Sequence, residues 1–390
     1  MMRAFTRVSV IAGAVACLAG CSSVSSGLDA INPFSSSEPK FKPAALTPLE
    51  VSSKLQRVWQ ASVGSAGEYS FTPAVVGDNI YVASSDGAIT RLDKTGTPTW
   101  KITAGKILSG GVGSDGKRVV AGTPKGEVLT FDAGDGHELW RAQVSAEVLA
   151  VPVLVEDLVV VRSGDSRIYG FDAVNGKRRW LYQRTTPTLV LRSSVGMWAD
   201  ARMTLAGFPG GKLMALANNN GAAVWEGTVA LPKGATELER VADVTSRPAV
   251  SGGTVCAATF QGRTSCFDQS NGNALWSRDM SSSAGLDMDA RHVFVADDKG
   301  AVHALDRSTG SSLWKQDKLT NRQLSRPLAL GDEVAVADYQ GIVHLLRQSD
   351  GALVGRIATD GSAVRGELVR FGNGALVQTV NGGLFAIDAR

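Results

Sequence analysis

A Trp-ended phrase recurring about every 40 residues, short Val-rich runs between Gly turns, and a spare strand around Trp59 predict an all-β fold. The form expected is an eight-bladed β-propeller of four-stranded antiparallel blades, its ring closed by an N-terminal strand that joins the C-terminal blade. The phrase is cleanest at 300–314, GAVHALDRSTGSSLW. Copies stand at 87–100 (GAITRLDKTGTPTW), 126–140 (GEVLTFDAGDGHELW), 166–180 (SRIYGFDAVNGKRRW), 211–225 (GKLMALANNNGAAVW) and 262–276 (GRTSCFDQSNGNALW). In two copies a residue departs from the pattern: Ala217 takes the Asp place, and 341–354 (GIVHLLRQSDGALV) reads with Arg347 for Asp and Val354 for Trp.

Each phrase supplies two strands and the hairpin between them. Asp bonds its own backbone two residues on, and Gly accepts a positive φ without a Cβ clash, so the pair makes the turn. The Trp is a large apolar plate that one blade alone cannot bury, and it is expected to pack between neighbouring blades. Before each phrase runs a further strand: 79–84, 118–122, 158–162, 254–258, 292–296, 333–337 and 375–379. These runs are apolar on both faces, as strands covered on both sides must be.

From the N-terminus, Arg3 and Arg7 precede an apolar run, 8–18, too short to cross a bilayer. It ends in Leu18-Ala19-Gly20-Cys21, which resembles the bacterial lipobox. That resemblance implies removal of residues 1–20, acylation of Cys21 and, with Ser22 following, sorting to the outer membrane. Residues 21–54 hold many Ser and Pro and are expected to be a flexible tether. Residues 55–390 are the expected propeller. The run 55–63, LQRVWQASV, carries Trp59 about 40 residues before Trp100. It is the last strand of a blade whose other three strands lie at the C-terminus, around 366–371, 374–380 and 384–388; joining them removes two open sheet edges.

Charge is nearly balanced, with 40 Lys and Arg against 37 Asp and Glu. This argues against a nucleic-acid surface. Cys17 leaves with the leader and Cys21 is the lipid site, so Cys256 and Cys266 remain. They flank the Gln261-Gly262 turn symmetrically, as a cross-strand disulfide or as two buried thiols.

Two loops break the period. The steps from Trp180 to Trp225 and from Trp225 to Trp276 are longer than the others. Extra residues in a repeat array form loops, often on the binding face. The first insertion contains Leu189-Val190-Leu191-Arg192 and the second is 231–244, LPKGATELERVADV. With the lipobox, these loops on Trp-docked blades make the chain resemble the BamB family, the lipoprotein propellers built from pyrroloquinoline-quinone-type repeats in the outer-membrane β-barrel assembly (BAM) machinery. The resemblance implies a non-catalytic scaffold at the periplasmic face, held by its lipid. Its partners would be a periplasmic POTRA domain of BamA, the other BAM subunits and unfolded barrel precursors. It implies that Leu189, Leu191 and Arg192 contact the partner, with Asp243 an acidic partner-binding residue on the adjacent loop, placed to hold the Arg192 guanidinium. Read from the residue pattern alone, Leu189 and Leu191 are instead ordinary strand residues facing the core. The family has a further acid where this chain has Thr245.

The rival readings are a quinone-dependent dehydrogenase of the same repeat, and a periplasmic sugar-binding or hydrolytic propeller. The first needs an axial Ca²⁺ site and usually an adjacent Cys pair, and no Cys-Cys occurs here. The second needs paired carboxylates or a His cluster. His303 and His344 share a repeat position with Tyr169, Met214 and Phe385, so they read as packing residues, while His137 sits in a turn and His292 at a strand start. Asp287, Asp289, Asp297 and Asp298 read as solvated turn acids. No metal and no cofactor are expected.

Overall fold

In the computed structural model, residues 42–49 and 55–389 are described. The leader, Cys21 and most of the expected tether lie outside them. The described strands form eight four-stranded antiparallel sheets. Blade one is Ala74–Val76, Asn79–Ala83, Ala88–Leu92 and Pro98–Thr103, paired in that order. Six further blades repeat this order. Around most of the ring the innermost strands of neighbouring blades touch, so the sheets stand around a centre. The whole is an eight-bladed β-propeller, as the repeats require.

The last blade is assembled from both ends of the chain. Strand β1 (Leu55–Ser62) pairs antiparallel with β32 (Gly383–Ala389), from Leu55 opposite Ala389 to Ser62 opposite Gly383. Strands Gly374–Gln378 and Val369–Phe371 complete the sheet.

The core is a set of layers between blades. Phe294 and Trp314 of blade six pack against Val334, Val336 and Leu346 of blade seven. Each Trp also locks onto the next blade by two contacts. The Trp276 Nε1–H donates to the Arg307 carbonyl at 2.7 Å, and the Trp314 Nε1–H to the Gln348 carbonyl at 2.6 Å. The accepting carbonyl belongs to the hairpin turn of the following phrase, and the Gly of that turn lies flat on the indole. A Cβ on Gly310 would stand 2.6 Å from the Trp276 ring, and one on Gly351 2.4 Å from Trp314. These glycines are thus required twice, by a positive φ and by the ring beneath them. Asp306 accepts the Ser308 and Thr309 N–H groups, and the hydroxyls of these residues help hold its carboxyl down at about 2. The Asp is not essential to the turn: with Ala217 in its place, Gly221 N–H still bonds the Ala217 carbonyl and Trp180 still reaches Asn218.

Blade seven corrects the sequence reading. Pairing places Gly355, not Val354, opposite Leu345, where the other blades put Trp; Val354 is the residue skipped by the bulge. The physical reason is the seam. The next turn along the ring would join β32 to β1, and Ala389 and Leu55, which pair there, are not joined by an Asp–Gly hairpin. A Trp would have nothing to dock on. Val354 is buried in a cluster flanked by Leu55 and Ala389, across that seam.

Two residues of the expected tether bond to the propeller. The Ala44 N–H donates to the Thr320 carbonyl at 2.9 Å, and Arg356 donates to the Thr47 carbonyl at 3.1 Å.

Candidate docking surface

Connections from the outer strand of one blade to the inner strand of the next all lie on one face of the ring, and both insertions are such connections. The first joins Arg178–Tyr182 to Met197–Ala199. It contains no strand, and Leu189, Val190 and Leu191 are 43%, 36% and 36% exposed. Three consecutive apolar side chains thus face solvent on a loop.

The loop is held from beneath. The Asp243 carboxylate is buried and accepts the Leu191 N–H at 2.8 Å and the Gly210 N–H at 3.0 Å. Its own carbonyl accepts the Phe260 N–H. One residue of the second insertion therefore ties together the first insertion, the turn after Phe208, and blade five. The buried Arg162 guanidinium bonds the Gly207 carbonyl and lies over the Phe208 ring at 5.2 Å. Burial pushes its pKa down to about 10, and the Asp243 charge opposes that push. Leu191, Asp243, Arg162, Leu149 and Pro209 line one small cleft there.

This overturns the expected Asp243–Arg192 pair. The Asp243 oxygens are spent on backbone N–H groups, which a buried carboxylate must find. Arg192 instead makes a two-pronged bridge to Glu147 of the preceding connection, 2.8 Å at each prong. Its guanidinium remains half-exposed. Thr245 donates its hydroxyl toward the Ser282 and Ser283 carbonyls.

The second insertion contains a single turn that sequence reasoning missed. The Thr236 hydroxyl accepts the Glu239 N–H, and the Glu239 carboxylate accepts the Ala235 and Thr236 N–H groups. This is a capping box, and Thr-x-x-Glu is its readable signal. It raises Leu238, 67% exposed, at the loop tip.

At the centre of the ring, charges from four blades meet. Arg247, entering blade five, bridges Glu367, entering blade eight, at 3.1 Å. Arg326, entering blade seven, reaches Glu367 at 3.3 Å and Asp287 of blade six at 3.2 Å. Burial raises the Glu367 pKa, but the two guanidinium groups outweigh it and hold the carboxyl below the ordinary range. The acids of blade six make local hydrogen bonds as well; Asp298 is an exposed turn residue, and Asp287, Asp289 and Asp297 are partly buried. Asp287 also accepts the Ala329 N–H, Asp289 the Arg291 and His292 N–H groups, Asp297 pairs His303 at 2.9 Å, and Asp298 accepts the Ser283 N–H. His303 and His344 are likewise more than packing: His344 is wholly buried against Asp338 at 3.0 Å. Asp132, Asp135 and His137 also cluster in one exposed turn, where the Asp132 carboxylate caps Gly134 N–H and that of Asp135 caps His137 N–H.

Cys256 and Cys266 stand directly opposite each other on adjacent strands of blade five and are joined by a disulfide. The pair is completely buried.

Residues 85–316 match the family model described as outer membrane protein assembly factor BamB. The chain is 41% identical over 389 residues to the outer membrane protein assembly factor BamB of Bordetella pertussis, covering 99% of this chain and 98% of that one. Its fold superposes on the crystal structure of BamB from Moraxella catarrhalis with a TM-score of 0.80, at 28% identity, over 86% of this chain and 100% of that one. A quinohemoprotein alcohol dehydrogenase from Comamonas testosteroni superposes with a TM-score of 0.68 at 13% identity, covering 85% of this chain and 76% of that one; this likeness is one of fold alone. Matched along nearly its whole length, the chain belongs to the BamB family of outer membrane protein assembly factors.

Proposed function

We propose that the chain is a non-catalytic scaffold lipoprotein of the BAM machinery, anchored through Cys21 on the periplasmic face of the outer membrane. Its two insertions grip a periplasmic POTRA domain of BamA. The observation that carries this reading is the exposed Leu189-Val190-Leu191 trio, presented on a loop whose backbone is fixed by buried Asp243. A small apolar anchor on a preorganised loop, beside an oriented arginine, is the composition of an interface hot spot. Leu189, Leu191 and Arg192 are the contacts; Asp243 is the brace.

The axis supports a scaffold over a dehydrogenase. Asp287 and Glu367 are already neutralised by Arg247 and Arg326. A divalent cation placed there would sit beside two guanidinium charges and find no free carboxylate. For barrel precursors, the outer strands offer unpaired edges, and the residue before Trp is apolar and exposed at Val58, Leu139, Val224, Leu275 and Leu313. An extended segment can add to such an edge by backbone pairing.

The test is co-purification of BamA with the lipidated protein carrying Arg192→Glu or Leu191→Ser. Both substitutions should reduce recovery at least tenfold, with an unchanged melting temperature. Undiminished recovery overturns the docking surface. Dehydrogenase turnover on adding the quinone overturns the scaffold.

A further inference from the structure

Residues 43–49 are held against the propeller at a place built to receive main chain. Arg322 is 2% exposed and its guanidinium is fully directed: Nε to Asp338 at 2.6 Å, Nη2 to Gln340 at 2.6 Å, and Nη1 to the Ala44 carbonyl at 3.0 Å. The Ala44 N–H returns a bond to Thr320, from the same connection as Arg322. Arg356 supplies a further bond, to the Thr47 carbonyl. Arg322 and Arg356 thus donate to carbonyls three residues apart, and none of these bonds reads a side chain of the segment. A buried guanidinium deprived of one acceptor is expensive, so the segment completes Arg322 as much as Arg322 holds the segment.

The location matters. Thr320 and Arg322 lie in the connection between Ser312–Gln316 of blade six and Leu328–Leu330 of blade seven. Connections of that kind, including the ones bearing Leu189–Arg192 and 231–244, share one face of the ring. We propose that residues 43–49 are a clasp, so that the chain preceding them leaves the propeller from the face that carries the candidate docking loops, and not from the start of β1. The expected tether then meets the propeller at residue 43 rather than at 54. A span shorter by about eleven residues has a maximum reach smaller by roughly 40 Å. A partner gripped by the loop face would be held on the side from which the anchor departs. That last consequence rests on the docking proposed above, whereas the clasp does not.

The experiment uses the full mature chain. Hydrogen exchange should show the Ala44 amide protected at least a hundredfold over a free peptide, and Ala44→Pro should abolish protection of residues 43–49 while leaving the blades unchanged. Spin labels at Ala45→Cys and Asp317→Cys should give a short, narrow distance; Ala45→Cys with Thr309→Cys, on the opposite face, should give a longer one. Free-peptide exchange at Ala44 in the unsubstituted chain, or a broad 45–317 distribution, overturns the clasp whether or not the Pro variant folds. Ala44→Pro should leave capture of BamA by the purified propeller unchanged. Arg192→Glu should lose capture with residues 43–49 still protected, so the two proposals fail separately.

Discussion

The Asp243 carboxylate accepts the backbone N–H of Leu191 across 52 positions of sequence, at 2.8 Å. An acid on one loop therefore sets the height of the apolar side chains on another. Asp243→Ala should leave two N–H groups without an acceptor and Arg162 without its nearby countercharge. The expected loss is about 2–3 kcal/mol of stability, read by urea denaturation, with faster exchange of the Leu191 and Gly210 amides. Asp243→Asn, which keeps an acceptor oxygen, should recover part of both. If Asp243→Ala changes capture of a partner without changing those amides, Asp243 touches the partner directly and is not a brace.

The stacking of turn glycines on the Trp of the preceding blade gives a paired test. Gly310 and Gly105 both have φ near 70°, but a Cβ on Gly310 meets the Trp276 ring at 2.6 Å whereas one on Gly105 meets nothing within 4 Å. Gly105→Ala should lose only the left-handed backbone preference, about 1–2 kcal/mol. Gly310→Ala should lose that and about 1–3 kcal/mol more for the displaced indole. Equal losses in thermal melts would mean that the contact carries no weight.

The axial network predicts a pH dependence. The folded Glu367 pKa is depressed by Arg247 and Arg326, so its contribution is fully present above the unfolded glutamate value of about 4.3. It is lost as pH falls through the lower folded value. Glu367→Gln should therefore be less stable than the unsubstituted chain at pH 7, and the gap in melting temperature should close as pH falls below about 4. A gap that widens on acidification would contradict the sign of the shift.

The Trp period was enough to count the blades and to pair the N-terminal strand with the C-terminal sheet, because each contact involved repeats at a constant offset. The exception at blade seven was misplaced by one residue. Spacing alone cannot distinguish Val354 from Gly355, whereas the bulge does. The loops are legible as insertions, but the residue pattern alone reads Leu189 and Leu191 as strand residues facing the core; only the family resemblance points to their exposure. What could not be read was the destination of the charges. The family motif puts Arg192 and Asp243 on adjacent loops, and that placement alone suggests a pair. In the folded chain a buried carboxylate had first claim on backbone N–H groups, and Glu147 of another connection took the arginine. Arg247 and Glu367 come from blades five and eight, so neither signals the other until the ring closes.

Pairing Leu55 with Ala389 has a consequence for how the molecule is made. The first propeller strand to leave the ribosome is among the last to find its neighbour. Until the final residues arrive, one wall of the ring is missing and β1 waits with both edges bare. Assembly is therefore gated by completion of the polypeptide, and a chain clipped shortly before Gly383 would present two raw sheet margins to whatever else is folding nearby.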